Sequence, residues 1–197
     1  MTGAGAVSAP PRALTRLAMP AIYAAIYALL ALGIEYARVL AGRIPDLEVP
    51  SLVFGGLALC ALAVGWRPRY LGLGTSRMAG RLLGGMALAV VLLLPAAARW
   101  GGGPVLGSSL ALAAVAVSVG EEVAFRGALF AALESAGGPA WAVLGSTAVW
   151  TLAHALSHPP EFLPAVAAAG LLLALWRWAC GDLVGPIVAH VLADVAL

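Results

Sequence analysis

Long apolar runs follow one another along this chain, parted by short stretches where Gly, Pro and charged residues collect. A helix that crosses a bilayer needs about 20 mostly apolar residues. Seven segments approach that description, at roughly 17–34, 51–66, 82–98, 105–134, 140–157, 163–178 and 183–197. Breakers mark the joins: Gly101-Gly102-Gly103-Pro104, Gly137-Gly138-Pro139 and Pro159-Pro160. The pattern predicts an all-α fold, a polytopic membrane bundle of about seven transmembrane helices. Residues 17–197 form a single domain with a motif-bearing core at about 105–197, behind a disordered Gly/Ala/Pro tail over 1–16. Arg12 and Arg16 precede the first run as they would in a signal peptide, but the run is longer than a cleavable core and predicts an uncleaved anchor.

Composition strengthens this reading. The chain is 62% hydrophobic and only 10% charged, against about 25% charged in ordinary soluble domains, and its mean hydropathy is +0.99. A net charge of +2 spread over scattered arginines, with no lysine, carries no nucleic-acid footprint. Cys60 and Cys180 lie in apolar surroundings and are expected as free buried thiols. The partner this implies is the lipid bilayer.

Charge also suggests an orientation. Arg12 and Arg16 flank the first run and Arg67, Arg69, Arg77 and Arg81 crowd the second connection, whereas the first connection mixes Arg38 and Arg43 with Asp46 and Glu48. The positive-inside tendency then places the N-terminus and the second connection in the cytoplasm, in a bacterial cytoplasmic (inner) membrane. Trp66, Trp100, Trp141, Trp176 and Trp178 fall near predicted span ends, as interfacial tryptophans do. Trp150 does not; it sits one turn before His154.

The candidate chemistry begins at Glu121-Glu122-Val123-Ala124-Phe125-Arg126, three charges inside an otherwise apolar run. Ionisable groups in such a place are costly and mark function. Glu122 and Arg126, four apart, share a face and can pair, while Glu121 is turned about 100° away and is left freer to act as a base. A hairpin at Gly137-Gly138-Pro139 would carry Glu121 and His154 to nearly equal depth, about 20 Å from the turn at 1.5 Å per residue. His190 and Asp194 share a face of the last segment, so Asp194 could orient the imidazole. His190 lies close after Gly181, so matching the depth of His154 calls for a tilted or broken sixth segment.

Glu-Glu-x-x-x-Arg in one segment, Trp150-Thr151-Leu152-Ala153-His154 in the next and His190-x-x-x-Asp194 in the last resemble the CPBP family of intramembrane proteases, which includes the CAAX prenyl endoprotease. The resemblance spans roughly 118–197. It implies an intramembrane endopeptidase of the glutamate type, cutting near the C-terminal or membrane-proximal part of a protein or lipid-modified peptide. Glu121 and His154 would activate water, His190 and Asp194 would support the oxyanion, and Glu122, Arg126 and Trp150 would support the site. Asp194 stands where the family more often has Asn. An ionised Asp cannot donate to an oxyanion, so it is either protonated or serves to orient His190.

Three other readings compete. No cofactor is the main expectation; the metal-dependent version would place zinc on Glu121, His154 and His190, with His158 weakened as a ligand by the Pro159-Pro160 that follows it. A proton-coupled carrier would use the same groups as a relay, and a non-catalytic scaffold would keep them for helix packing. Ser118 and Ser146 lack a nucleophile-elbow setting.

Overall fold

A computed structural model describes residues 11–97 and 106–196, with the side chains of 11–18 and 95–97 left undescribed. The described residues are helical and turn, without a strand. In chain order the helices are α1 (Pro11–Gly42), α2 (Glu48–Ala61), a single turn α3 (Pro68–Leu71), α4 (Met78–Ala97), α5 (Ser108–Glu121), a π-helical stretch (Glu122–Leu129), α6 (Phe130–Gly137), α7 (Pro139–His154), a 3-10 turn (Pro160–Phe162), α8 (Leu163–Cys180) and α9 (Val184–Ala196).

α5, the π stretch and α6 run as one rod, and every residue from 121 to 130 is buried. A helix buried on all sides is the centre of its bundle. Around it pack α1, α2, α3, α7, α8 and α9, while α4 lies outside against α9. The outward faces are apolar: Leu29, Phe54, Val64, Leu112 and Leu144 are all well exposed. In water such a surface would aggregate; in hydrocarbon it is ordinary. Three helical stretches are long and apolar enough to cross a membrane, Met19–Ala41, Ser108–Gly137 and Pro160–Cys180, and Glu48–Ala61, Met78–Leu94 and Val184–Ala196 are shorter apolar helices.

The structure revises several sequence expectations. α1 continues to Gly42 rather than stopping near 34, so Glu35 and Arg38 belong to the helix and not to a connection. It also begins at Pro11, inside the tail expected over 1–16; residues 1–10 of that tail, Trp100 and Leu197 lie outside the described residues. The long central segment carries a π-helical stretch over Glu122–Leu129 and continues as helix on both sides of it. α8 is likewise unbroken. The depth of His190 is set instead by the α8–α9 turn, which is itself buried, with Asp182 3% and Leu183 0% exposed. Asp182 accepts from the backbone N–H of Val184 and Gly185 at 3.0 and 2.9 Å, capping α9, and Arg81 stands 3.3 Å from it. Gly72 O accepts from Leu183 N at 3.1 Å. α3 and the start of α4 thus cover the turn, so α9 starts inside the bundle. Both cysteines are free as expected, but neither is fully buried: Cys60 is partly exposed on α2, and Cys180 is exposed because it ends α8 beside the left-handed Gly181.

Close helix approach holds the core. A Cβ on Gly56 of α2 would collide with the backbone carbonyl of Ala116, and one on Gly120 of α5 with that of Gly56. Small residues let membrane helices meet backbone to backbone, and this pair presses α2 against the turn that carries Glu121. Gly56→Ala should therefore destabilise the folded protein by about 1–3 kcal/mol through overpacking, measured as the unfolding midpoint in mild detergent. Gly33→Ala, whose Cβ meets nothing within 4 Å, should not; equal midpoints for the two variants would refute the close-packing account.

Candidate functional site

The rod's two adjacent glutamates look in different directions, and each gathers its own partners. Glu122, with no exposure, accepts from Arg126 Nη1 at 3.0 Å, as the four-residue spacing predicted. The same Oε1 lies 2.9 Å from His190 Nδ1 on α9. Arg126 is also fully buried; it donates to Gly170 O on α8 at 3.3 Å and lies 4.2 Å from the Trp150 ring centroid. Removing such charges from water costs several kcal/mol per ion, recovered only where partners are close and well aligned. The pair, the cation–π contact and the imidazole supply those partners. Glu122 Oε2 and Arg126 Nε remain buried without one.

Glu121 is 5% exposed. Trp150 Nε1–H donates to its Oε2 at 2.7 Å, which explains a tryptophan away from the span ends: the indole holds the carboxylate with one edge and covers Arg126 with its face. His154, one turn further along α7, has Nε2 3.9 Å from the same Oε2. Its Nδ1 lies 3.0 Å from Trp150 O. A carbonyl only accepts, so Nδ1 carries a proton, and in the neutral ring this tautomer turns the Nε2 lone pair toward Glu121. A 3.9 Å gap exceeds a direct hydrogen bond and suits a bridging oxygen. Glu121 and His154 do lie together, as the hairpin count predicted.

His190 and Asp194 complete the group. His190 Nε2 is 3.3 Å from Asp194 Oδ2, and its ring meets Trp150 edge-on with centroids 5.6 Å apart. Asp194 Oδ2 also lies 2.7 Å from Ser118 Oγ, the hydroxyl of which reaches Ala114 O at 2.6 Å. The His190 ring is thus held between two carboxylates, Glu122 and Asp194, and needs a proton on each nitrogen to donate to both.

The zinc set does not fit this arrangement. Both nitrogens of His190 face carboxylates, at 2.9 and 3.3 Å, rather than converging with His154 on a common point, and among the described residues no three His, Cys, Asp or Glu side chains are grouped to hold a metal ion. His158 has left the helix, as the prolines after it predicted, and stacks on His154 with ring centroids 5.3 Å apart.

Three site residues escaped the sequence reading. Ser118 lacks the setting of a nucleophile, and its hydroxyl instead meets Asp194. Glu35, 1% exposed, and Arg38 come from α1, with Arg38 Nη2 3.9 Å from Glu121 Oε1. Their spacing was the available signal: an acid and a base three apart at the end of an apolar run can share a helix face, as Glu122 and Arg126 do four apart.

Comparison with known proteins adds one finding. Residues 103–196 match the family described as type II CAAX prenyl endopeptidase Rce1-like. The matched stretch takes in Glu121, His154, His190 and Asp194 and excludes α1, α2, α3 and α4. No curated protein and no solved structure matches the chain.

The buried pair gives a stability prediction. Arg126→Met should cost about 3–5 kcal/mol, because it leaves Glu122 buried with one partner fewer. Adding Glu122→Gln should recover part of the loss, as read from unfolding midpoints of the single and double variants; strictly additive losses would mean the two do not interact.

Proposed function

We propose that this chain, residues 103–196 of which match the type II CAAX prenyl endopeptidase Rce1-like family, is an intramembrane endopeptidase in which Glu121 and His154 activate the attacking water. The observation that carries this is the 3.9 Å separation of Glu121 Oε2 from His154 Nε2. One water oxygen in that gap would meet a carboxylate and an imidazole lone pair together. The pair removes a proton as the oxygen bonds to the peptide carbonyl carbon. That proton then passes to the leaving nitrogen as the C–N bond breaks, giving a carboxylate and an amine. General base catalysis of this kind contributes roughly 10²–10⁴-fold.

His190 supports the oxyanion in this reading. Its Nε2–H, at the longer 3.3 Å contact, is the donor most easily shared, while Glu122 holds Nδ1. A donor fixed in advance where charge develops needs no reorganisation during the reaction. Asp194 then acts as an acceptor that orients the ring, with Ser118 steadying it, so an acid can stand where Asn is commoner. Glu122, Arg126 and Trp150 keep the two carboxylates apart and aimed. No step requires a metal.

Seven membrane crossings follow if α1, α2, α4, the central rod, α7, α8 and α9 each span. With the N-terminus in the cytoplasm of a bacterial cell, the arginine-rich end lies inside the inner membrane. Arg12 and Arg16 begin α1, Arg67, Arg69, Arg77 and Arg81 lie between α2 and early α4, and Arg177 donates to Tyr70 O at 2.8 Å beside the α8–α9 turn. Glu121, His154 and Asp194 lie toward the opposite end, with the C-terminal part of α1. This favours a membrane-proximal segment or C-terminal tail presented outside the cytoplasm over a cytosolic prenylated peptide.

Two measurements test these claims. Glu121→Gln barely changes size and should abolish cleavage while leaving the fold intact, so a proteomic comparison of membrane fractions should show substrate retained and a peptide product lost. Unchanged products would refute the catalytic assignment. A membrane-impermeant maleimide should label a Ser157→Cys protein in intact cells and reach native Cys180 only after lysis; the reverse pattern would overturn the orientation.

A further inference from the structure

α1 lies outside the family-matched stretch, yet it sends the only guanidinium among the described residues toward Glu121 Oε1. Arg38 donates through Nε to Glu35 Oε2 at 2.9 Å, and its Nη2 meets the same oxygen. Nη2 also stands 3.9 Å from Glu121 Oε1. Glu121 is therefore held from two sides. Trp150 fixes Oε2 and faces it toward His154, while Arg38 faces Oε1. A carboxylate is symmetric about its C–C bond, so an indole on one oxygen and a cation on the other together decide which oxygen meets the water.

The chain is shaped to admit this arginine. A Cβ on Gly55 of α2 would lie 2.6 Å from Arg38 Cδ and 2.8 Å from Cγ. The aliphatic stem thus crosses α2 in the space a side chain would occupy. The next residue, Gly56, makes the backbone approach to α5. Two adjacent glycines so serve two contacts: one lets α2 touch the rod, the other lets Arg38 pass α2 to reach it. Glu35 is 1% exposed and its Oε1 is buried without a partner. A buried acid that spends one oxygen on the arginine and leaves the other unpaired is expensive, and here its contact is the anchoring of Arg38.

We infer that Arg38, anchored by Glu35 and admitted by Gly55, is a positioning residue that orients Glu121 for water activation. The inference rests on the peptidase reading, but the Arg38–Glu121 coupling can be measured without a substrate. Arg38 acts through Glu121 and touches no reacting atom. It also neutralises part of the charge that Glu35, Glu121, Glu122 and Asp194 bring into one apolar region, where Arg126 is already committed to Glu122.

The test uses the full-length protein in membranes or mild detergent. Arg38→Met keeps a stem able to lie over Gly55 and removes the charge; Arg38→Lys restores a cation. In a thermal-unfolding cycle, Arg38→Met should lower the midpoint in the wild-type background and lower it less in the Glu121→Gln background, since contacting charges couple. Equal shifts in both backgrounds would refute the contact. For chemistry, a synthetic peptide spanning a cleavage site found by the membrane comparison serves as probe. Arg38→Met should reduce kcat by about 10- to 100-fold with KM little changed, and Arg38→Lys should recover most of that loss. Glu35→Gln should give a smaller fall of the same kind. A KM effect alone, or no recovery with Lys, would overturn the positioning role. Should Glu121→Gln still cut that peptide, the peptidase reading falls instead, while the unfolding cycle continues to decide the contact.

Discussion

Charge cannot rest unpaired in an apolar interior, and the central rod carries three charges within six residues. The rest of the structure follows from satisfying them. Glu122 and Arg126 neutralise each other along one face, and each then recruits a second helix: Glu122 reaches α9 through His190, and Arg126 reaches α8 through Gly170 O and α7 through the Trp150 ring. Three helices are thereby tied to one ion pair. Because interhelical polar contacts are individually modest in membranes, their convergence on a single fully buried pair matters more than any one of them.

Glu121 shows the complementary arrangement. Its neighbours hold it without matching it: an indole N–H bonds one oxygen, and a guanidinium and an imidazole each stand 3.9 Å away. The same helix therefore carries one acid with a cation at bonding distance, Arg126 at 3.0 Å from Glu122, next to one whose nearest cation, Arg38, stands off at 3.9 Å. Glu122 thus meets its cation and its imidazole directly, at 3.0 and 2.9 Å, whereas those beside Glu121 stop short of it. The π-helical stretch begins at Glu122, so the change of helical width falls between the two acids. Such bulges are frequent at functional sites because they re-aim side chains without ending a helix.

Glycine lets the supporting helices reach this segment. Gly56 and Gly120 bring α2 to the rod, Gly55 gives passage to Arg38, and a Cβ on Gly170 would meet the Trp150 ring at 2.7 Å. The site is built by close backbone approach as much as by the polar residues. The buried α8–α9 turn plays a parallel part, since capping by Asp182 and cover from α3 let α9 begin inside the bundle and bring His190 level with Glu122.

Much of this was legible in the residues alone. Apolar periodicity and breakers determined an all-helical chain, because a helix satisfies its own backbone wherever water is excluded. Spacing determined the Glu122–Arg126 pair, and counting from Gly138 determined that Glu121 and His154 share a depth, because rise per residue is constant along a helix. What spacing could not decide was contact between segments distant in sequence. Ser118 with Asp194, Glu122 with His190, and Arg38 with Glu121 depend on helix rotation and on which glycines permit approach. Only the packed bundle sets those, so only the tertiary structure could tell the acid that is paired from the acid that is poised.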